Sequence, residues 1–374
     1  MSKDHQSRMT DQFRILHLGA EQAGKTLAAA LKSVVPDCSW GQARQWIQGR
    51  HLQVNGNLCL DIARRVTQRD VLKLWREPLP KPVSFRDLRL VHVDDQLLVV
   101  EKPAGVTSVR HFEERKMSGR RKQLQPTLEE LLPLALARFL RIDWPPPVQP
   151  PNQVRGNSIR KPFRGPATVP SMKLPPELQV IPVHRLDRDT SGLMLFARTR
   201  DMEKKLVAMF RKHEIERSYW GVCHGTLSSQ TIRTTLIRDR GDGLRGSADD
   251  SQDDQGQESI THVSAVEKLL GYTIVHCQLE TGRTHQIRIH LSELGHMMCG
   301  EKIYTQSKAG KVMRDISGAP RHALHSDQLS LVHPITGQKM SFRMKLPVDL
   351  SHWLDRLRKR LANEKDQPAD GPET

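Results

Sequence analysis

The residue best placed to do chemistry in this sequence is Asp187, inside the stretch PVHRLDRDTSGLMLFAR, residues 182–198. It sits between Arg185 and Arg188, with Asp189, Thr190 and Ser191 following. Positive charge beside a carboxylate favours its ionised form. An ionised carboxylate can serve as a nucleophile or a general base near neutral pH. Pro182 restricts its neighbour to extended geometry. Gly192 permits a tight backbone, and LMLFA is an apolar run of strand length. On these residues alone, a surface turn with solvated charges explains the stretch as well.

Two later stretches carry further candidate groups. ERSYWGVCHG, residues 216–225, alternates as a strand and places Tyr219 and Gly221 on one face, with Arg217 two positions before the tyrosine. LETGRTHQIRIHLSEL, residues 279–294, predicts a helix that Thr281 caps. That helix would carry Arg283, His285, Arg288 and His290, with Ile287, Leu291 and Leu294 as its buried side. Between these stretches and the first, TRDMEKKLVAMFRKHEI predicts an amphipathic helix whose Met202, Leu206, Met209 and Phe210 belong to the core.

Taken together the motifs resemble the RluA-type pseudouridine synthases. HRLDxxTSG spans His184 to Gly192, K-x-Y appears with Arg217 in place of the lysine, and LxTGRxHQIR ends at Arg288. LVHVDDQLLVVEKPAGV resembles the family's first motif, with Glu101 where Asn or Asp is commoner. ALHSDQLSLVHPITGQKMSFRMKLP resembles its closing segment. Met297 and Glu301 stand where Pro and Asp are usual, which leaves that turn open. The resemblance implies an isomerase that converts uridine in RNA to its carbon-linked form. It implies Asp187 as the catalytic acid, Arg283 as its ion-pair partner, and Tyr219 stacked under the base within reach of the proton on C5. Arg185 would fill the gap left by a flipped nucleotide, and Arg217, His285 and Arg288 would contact RNA. The implied fold is α+β, a mixed, largely antiparallel central sheet flanked by helices and preceded by a small α/β RNA-binding domain. An isomerisation needs neither metal nor cofactor.

Composition agrees with an RNA partner. In 374 residues there are 58 Lys+Arg against 42 Asp+Glu, a formal net charge of +16. Such an excess favours a polyanion, either nucleic acid or an anionic membrane surface. No apolar run reaches the roughly 20 residues of a spanning helix, and the N-terminus lacks the apolar core of a secretory signal. A cytoplasmic, monomeric protein is expected. The five cysteines are scattered without CxxC spacing, which excludes a disulfide framework or a zinc site from sequence.

The chain divides by composition. Residues 1–12 read as a polar tail, and 13–76 as a small module with two helices and an Asn55-Gly56 hairpin. Its second helix, opened by Ser39 and Gln42, would carry Arg44, Trp46 and Arg50. QARQWIQGRHLQVNGN resembles the RNA-binding domain named after ribosomal protein S-four, which makes Arg44 and Arg50 RNA contacts by implication. GAEQAGKT matches a phosphate-binding loop, but a capped helix and a hairpin follow it rather than a βαβ series. Residues 77–87 form a Pro-rich linker, and 88–361 the catalytic domain. Within it lie a Pro/Arg-rich insertion at 141–180 and an acidic loop at 241–259, whose G-x-G-x-x-G lacks a strand-to-helix setting. Residues 362–374 read as a disordered tail. By family analogy the substrate is large-subunit ribosomal RNA. The alternatives are a synthase acting on transfer RNA and a non-catalytic basic RNA-binding factor.

Overall fold

The computed structural model describes residues 9–10, 13–79, 81–110, 125–145, 173–248 and 256–366. The chain forms two compact units, Met1–Pro82 and Val83–Thr374.

In the first unit, strands β1 (Met9–Thr10), β2 (Phe13–His17), β3 (Leu52–Val54), β4 (Asn57–Leu58) and β5 (Val71–Trp75) form an antiparallel sheet in the order β1-β2-β5-β3-β4. Helices α1 (Leu27–Val34) and α2 (Trp40–Gln48) carry the other half of its core. Leu27, Leu31 and Ile47 meet Leu52 and Leu72 there, all fully buried. Asn55 and Gly56 both have positive φ (51° and 76°), the geometry an Asn-Gly hairpin turn requires. The Thr26 hydroxyl caps α1 and Lys25 is exposed, so the GAEQAGKT loop is an ordinary helix start. Two sequence expectations are corrected. The expected tail contains β1, which pairs with β2. Arg50 lies beyond α2 in the left-handed region (φ 71°), and its Nε donates to the Leu79 carbonyl at 3.0 Å.

The second unit is α+β. Its strands are β6 (Arg89–Val93), β7 (Leu97–Lys102), β8 (Ile181–Pro182), β9 (Ser191–Ala197), β10 (Glu216–His224), β11 (Gln230–Ile237), β12 (Gly246–Ser247), β13 (Gln257–Leu269), β14 (Tyr272–Leu279), β15 (Leu324–Val332) and β16 (Lys339–Arg343). The sheet runs β12-β11-β13-β14-β10-β15-β9-β7-β6, with β16 beside β15 and β8 beside β9. Every pairing is antiparallel except β15 with β9. Helices α3 (Leu128–Leu140), α4 (Arg200–Arg211), α5 (Gln286–Glu293) and α6 (Val348–Asp366) flank it.

The LMLFA run becomes β9, buried along its whole length because the sheet is covered on both faces. Met194 and Phe196 pack into one core with Leu98 and Val100 of β7. Leu193, Leu195 and Ala197 face the other with Leu97 and Val99, α4 and β15. Gly192 has φ +122°, and a Cβ there would lie 2.2 Å from the Ser326 carbonyl oxygen. Only glycine lets β15 approach so closely, directly after the Asp187 turn.

Three boundaries differ from expectation. The acidic loop ends early, because β13 starts at Gln257 and Glu258 belongs to a strand. The 141–180 insertion ends in structured chain: Pro176–Leu178 forms a 3₁₀ turn, and Leu178 and Val180 are buried. Residues 146–172 lie outside the described residues. Helix α6 runs to Asp366, past the expected start of the tail. Pro133 lies within α3.

Candidate active site

The turn carrying Asp187 links β8 to β9 and is anchored from three sides. Ser108 Oγ accepts from the Leu186 N–H at 3.1 Å and donates to the Leu186 carbonyl at 2.6 Å. Lys102, fully buried, donates from Nζ to the carbonyls of Pro103, Arg188 and Thr190 at 2.8–2.9 Å. Burial brings its ammonium down to about 7, while Asp189 and Asp187 oppose that shift. Arg321 Nη1 donates to the Asp189 carbonyl at 2.8 Å, and the Thr190 hydroxyl meets His322 Nε2 at 2.8 Å. Buried backbone groups in a loop need such partners, and these partners fix where the Asp187 carboxylate points.

The second wall comes from the segment between β14 and α5. The expected helix from Thr281 is corrected: α5 begins at Gln286, and His285 is its N-cap in the left-handed region (φ 61°). The cause is the Gln286 side chain. Its Oε1 accepts from Arg283 N and Thr281 Oγ1 at 2.9 Å, and its Nε2 donates to Ile260 O and Thr261 Oγ1 at 3.0 Å. These bonds tie the helix start to β13 and leave Gly282–His285 as a turn.

That turn decides which arginine meets Asp187. Arg283 is exposed, and its Nε donates to the Glu258 carbonyl at 3.1 Å. Arg288, inside α5 and buried, reaches Asp187 Oδ2 from Nη1 at 3.0 Å. The expected Asp187–Arg283 pair is therefore corrected to Asp187–Arg288. Arg288 is held in turn by Glu301, with Nε–Oε2 at 2.6 Å and Nη2–Oε1 at 2.7 Å. Glu301 Oε1 also accepts the N–H groups of Lys302 and Ile303 at 2.9 Å. Burial works against both charges, yet Arg288 takes the Glu301 carboxyl down to about 2, and Glu301 with Asp187 raises the Arg288 guanidinium. His285 Nε2 lies 3.7 Å from the other Asp187 oxygen, Oδ1, and its Nδ1 meets Tyr304 Oη at 2.7 Å. Burial lowers the His285 imidazole below its ordinary value, Asp187 opposing, so the ring is neutral at neutral pH.

These walls enclose a cleft of about 440 Å³. Arg185, Asp187, Arg217, Tyr219, Arg283, His285 and Arg288 all line it, although they come from the Asp187 turn, β10, the segment leading into α5 and α5 itself. Tyr219 is buried, and burial raises its phenol above the ordinary value. Arg44, exposed on α2, and Arg50 belong to the other unit. Sequence reading missed Glu301, Ser108, Lys102 and Arg321. Glu301 was visible only as a departure from a motif, and Lys102 only as part of the LVVEKPAG motif, with no role of its own.

Among the described residues, His224, Cys299 and Asp315 bring three potential metal ligands within 4.8 Å of one another. His224 Nε2 and Ser317 Oγ already bond Asp315 Oδ1 at 2.8 and 2.6 Å, and burial keeps the Cys299 thiol protonated. The cluster is satisfied by hydrogen bonds.

Comparison with known proteins accords with this geometry. A family model described as RNA pseudouridylate synthase matches residues 167–293, which span the Asp187 turn, Tyr219 and the Arg283–Arg288 segment. The ribosomal large subunit pseudouridine synthase D of Neisseria meningitidis serogroup A is 29% identical over 353 residues, covering 90% of this chain and 80% of that protein. The uncharacterized RNA pseudouridine synthase YlyB of Bacillus subtilis is 29% identical over 350 residues, covering 91% and 96%. The solved structure of human RNA pseudouridylate synthase domain containing 4 superposes with a TM-score of 0.48 at 20% identity, covering 72% of this chain and 92% of that one. These matches support an RNA pseudouridine synthase of the RluA type, an RNA-modifying isomerase.

Proposed function

We propose that this protein isomerises specific uridines of large-subunit ribosomal RNA to pseudouridine, with Asp187 acting at the ribose. The observation that carries the role of Asp187 is the asymmetry of its carboxylate. Oδ2 is bonded to Arg288, while among the described residues Oδ1 has no partner nearer than His285 at 3.7 Å, within the cleft. Oδ1 is then the atom that attacks the anomeric carbon or removes the neighbouring ribose proton, and either route uses the same geometry. The target uridine leaves its stack to enter the cleft, at a cost of a few kcal/mol that a loop position reduces. Arg185, exposed on the turn, occupies the gap. Uracil detaches, turns and rejoins through C5. Tyr219 stacks on the ring and helps remove the C5 proton. Reactant and product are isomers, so the reaction balances without cofactor or metal.

The substrate reading rests on relatives that bear the name ribosomal large subunit pseudouridine synthase. The first unit serves as an S-four-type RNA-binding module, with exposed Arg44 on α2 toward phosphates. The proposed active form is a cytoplasmic monomer, in which the second unit alone supplies Asp187, Tyr219 and Arg288. Among the described residues no helix is long and apolar enough to cross a membrane. Mapping pseudouridine across total RNA, with and without the gene, tests the reading. Sites lost from large-subunit ribosomal RNA support it. Sites lost only from transfer RNA, or none lost, overturn it.

A further inference from the structure

Arg217 is a buried cation. It lies on β10 two residues before Tyr219, lines the cleft, and is 7% exposed. Among the described residues its guanidinium has no hydrogen-bond or ion-pair partner, and its Nε is buried unbonded. The carboxylates of the cleft are engaged elsewhere: Asp187 with Arg288, Glu258 with Arg233, Glu280 with His262. The neighbouring imidazole offers no acceptor. Leu195 N–H donates to His184 Nε2 at 2.8 Å, and burial, aided by the Arg217 charge, takes that ring down to about 3. The neutral ring therefore carries its proton on Nδ1, which also lacks a partner.

The position of Arg217 is built into the fold. Its guanidinium lies 5.1 Å from the centre of the Phe210 ring. A Cβ on Gly282 would come within 2.5 Å of Arg217 Nη1, so the glycine of the TGR string makes room for it. A buried, unpaired charge is costly, and a negatively charged group entering the cleft removes that cost. Arg185, Arg211 and Arg283 line the same cleft but are exposed, as suits contacts to phosphates at the rim. Arg217 is enclosed, as suits a group that enters.

We propose that Arg217 is a catalytic residue that receives the charged oxygen of the uracil ring once the ring has left the ribose. This deepens the synthase reading and rests on it. When the N1–C1′ bond breaks, its electron pair stays on the ring and is shared between N1 and the two carbonyl oxygens. Arg217 donates an N–H to one of those oxygens while the ring turns. The ring's electrons then form the C5–C1′ bond, and the proton lost from C5 is balanced by one gained at N1.

The test compares the wild type with Arg217→Gln and Arg217→Lys on two unmodified large-subunit ribosomal RNA transcripts, one with uridine and one with 5-fluorouridine. Fluorine stabilises the departed base, so it relieves the demand for the cation. Arg217→Gln is expected to slow single-turnover glycosidic cleavage by about 100-fold on uridine, the usual loss of a transition-state donor. The loss on 5-fluorouridine should be distinctly smaller, RNA affinity should be little changed, and Arg217→Lys should partly restore the rate. An equal loss on both transcripts, or a loss confined to affinity, places a phosphate on Arg217 and overturns the proposal. Two measurements need no turnover. Arg217→Gln should weaken binding of 5-fluorouracil and leave binding of inorganic phosphate unchanged, and the reverse contradicts the assignment. Arg217→Met should unfold at or above the wild-type midpoint, because it removes an unpaired buried charge; a lower midpoint would show that the charge is already partnered. If the wild type modifies neither transcript, the synthase reading has failed, whatever the binding experiments give.

Discussion

Glu301 holds Arg288 by two hydrogen bonds, Nε–Oε2 at 2.6 Å and Nη2–Oε1 at 2.7 Å, and so leaves only Nη1 to reach Asp187. The Glu301 side chain is 1% exposed and that of Arg288 5%. Removing one member of such a buried pair costs about 3–5 kcal/mol, mostly because the other charge is stranded. Glu301→Ala should lower the unfolding free energy of the second unit by that amount, measured in urea. A loss under about 1 kcal/mol, the range of exposed pairs, would mean the bonds are not held in solution.

The same carboxylate predicts an acid limb. The Glu301 carboxyl is lowered to about 2 in the folded chain from an ordinary value of 4.5. The unfolded chain therefore binds a proton first, and the stabilisation from ionised Glu301 is complete above about pH 4.5. It declines as pH falls from there toward 2. Glu301→Gln should flatten the stability curve within this window, and an unaltered slope would deny the depressed carboxyl.

Arg283 and Arg288 should separate cleanly. Arg288→Gln strips the carboxylate of its partner and should reduce pseudouridine formation by about 100-fold or more. Arg283→Gln removes an exposed bond to the Glu258 carbonyl and should affect mainly RNA affinity, within about tenfold. Single-turnover rates at saturating enzyme distinguish the two, and equal losses at saturation would contradict the pairing described here.

Ser108 should matter at a distance from substrate. Its hydroxyl serves both backbone groups of Leu186, the residue before Asp187. Ser108→Ala leaves both unsatisfied, at about 1–3 kcal/mol. Because the turn then loosens, kcat should fall while KM for RNA changes little. A rise in KM alone would mean that Ser108 does not act through the Asp187 turn.

Much of this was legible in the sequence where local rules decide. The Asn55-Gly56 turn and the buried run of β9 follow from dihedral preference and hydrophobicity over a few residues. The Asp187 turn and Tyr219 were found through their motifs, and the cleft contains both. The Arg283 pairing went wrong because α5 starts where Gln286 bonds Ile260 and Thr261, residues 25–26 positions away. No periodicity encodes such a contact. Glu301 and Lys102 were hidden for the same reason, since each acts on groups that only the folded sheet brings near. The acidic-loop boundary failed because composition changes gradually through Glu258 and Ser259, whereas strand pairing begins at Gln257.

The central claim is that the Asp187 carboxylate performs the isomerisation. Asp187→Asn keeps the shape of the side chain and removes its charge. The direct measurement is pseudouridine at the protein's own sites in cells whose only copy carries Asp187→Asn, beside single-turnover rates of the purified variant. Formation should fall by at least about 100-fold, with the fold and RNA binding retained. Pseudouridine at wild-type levels in those cells would contradict the claim.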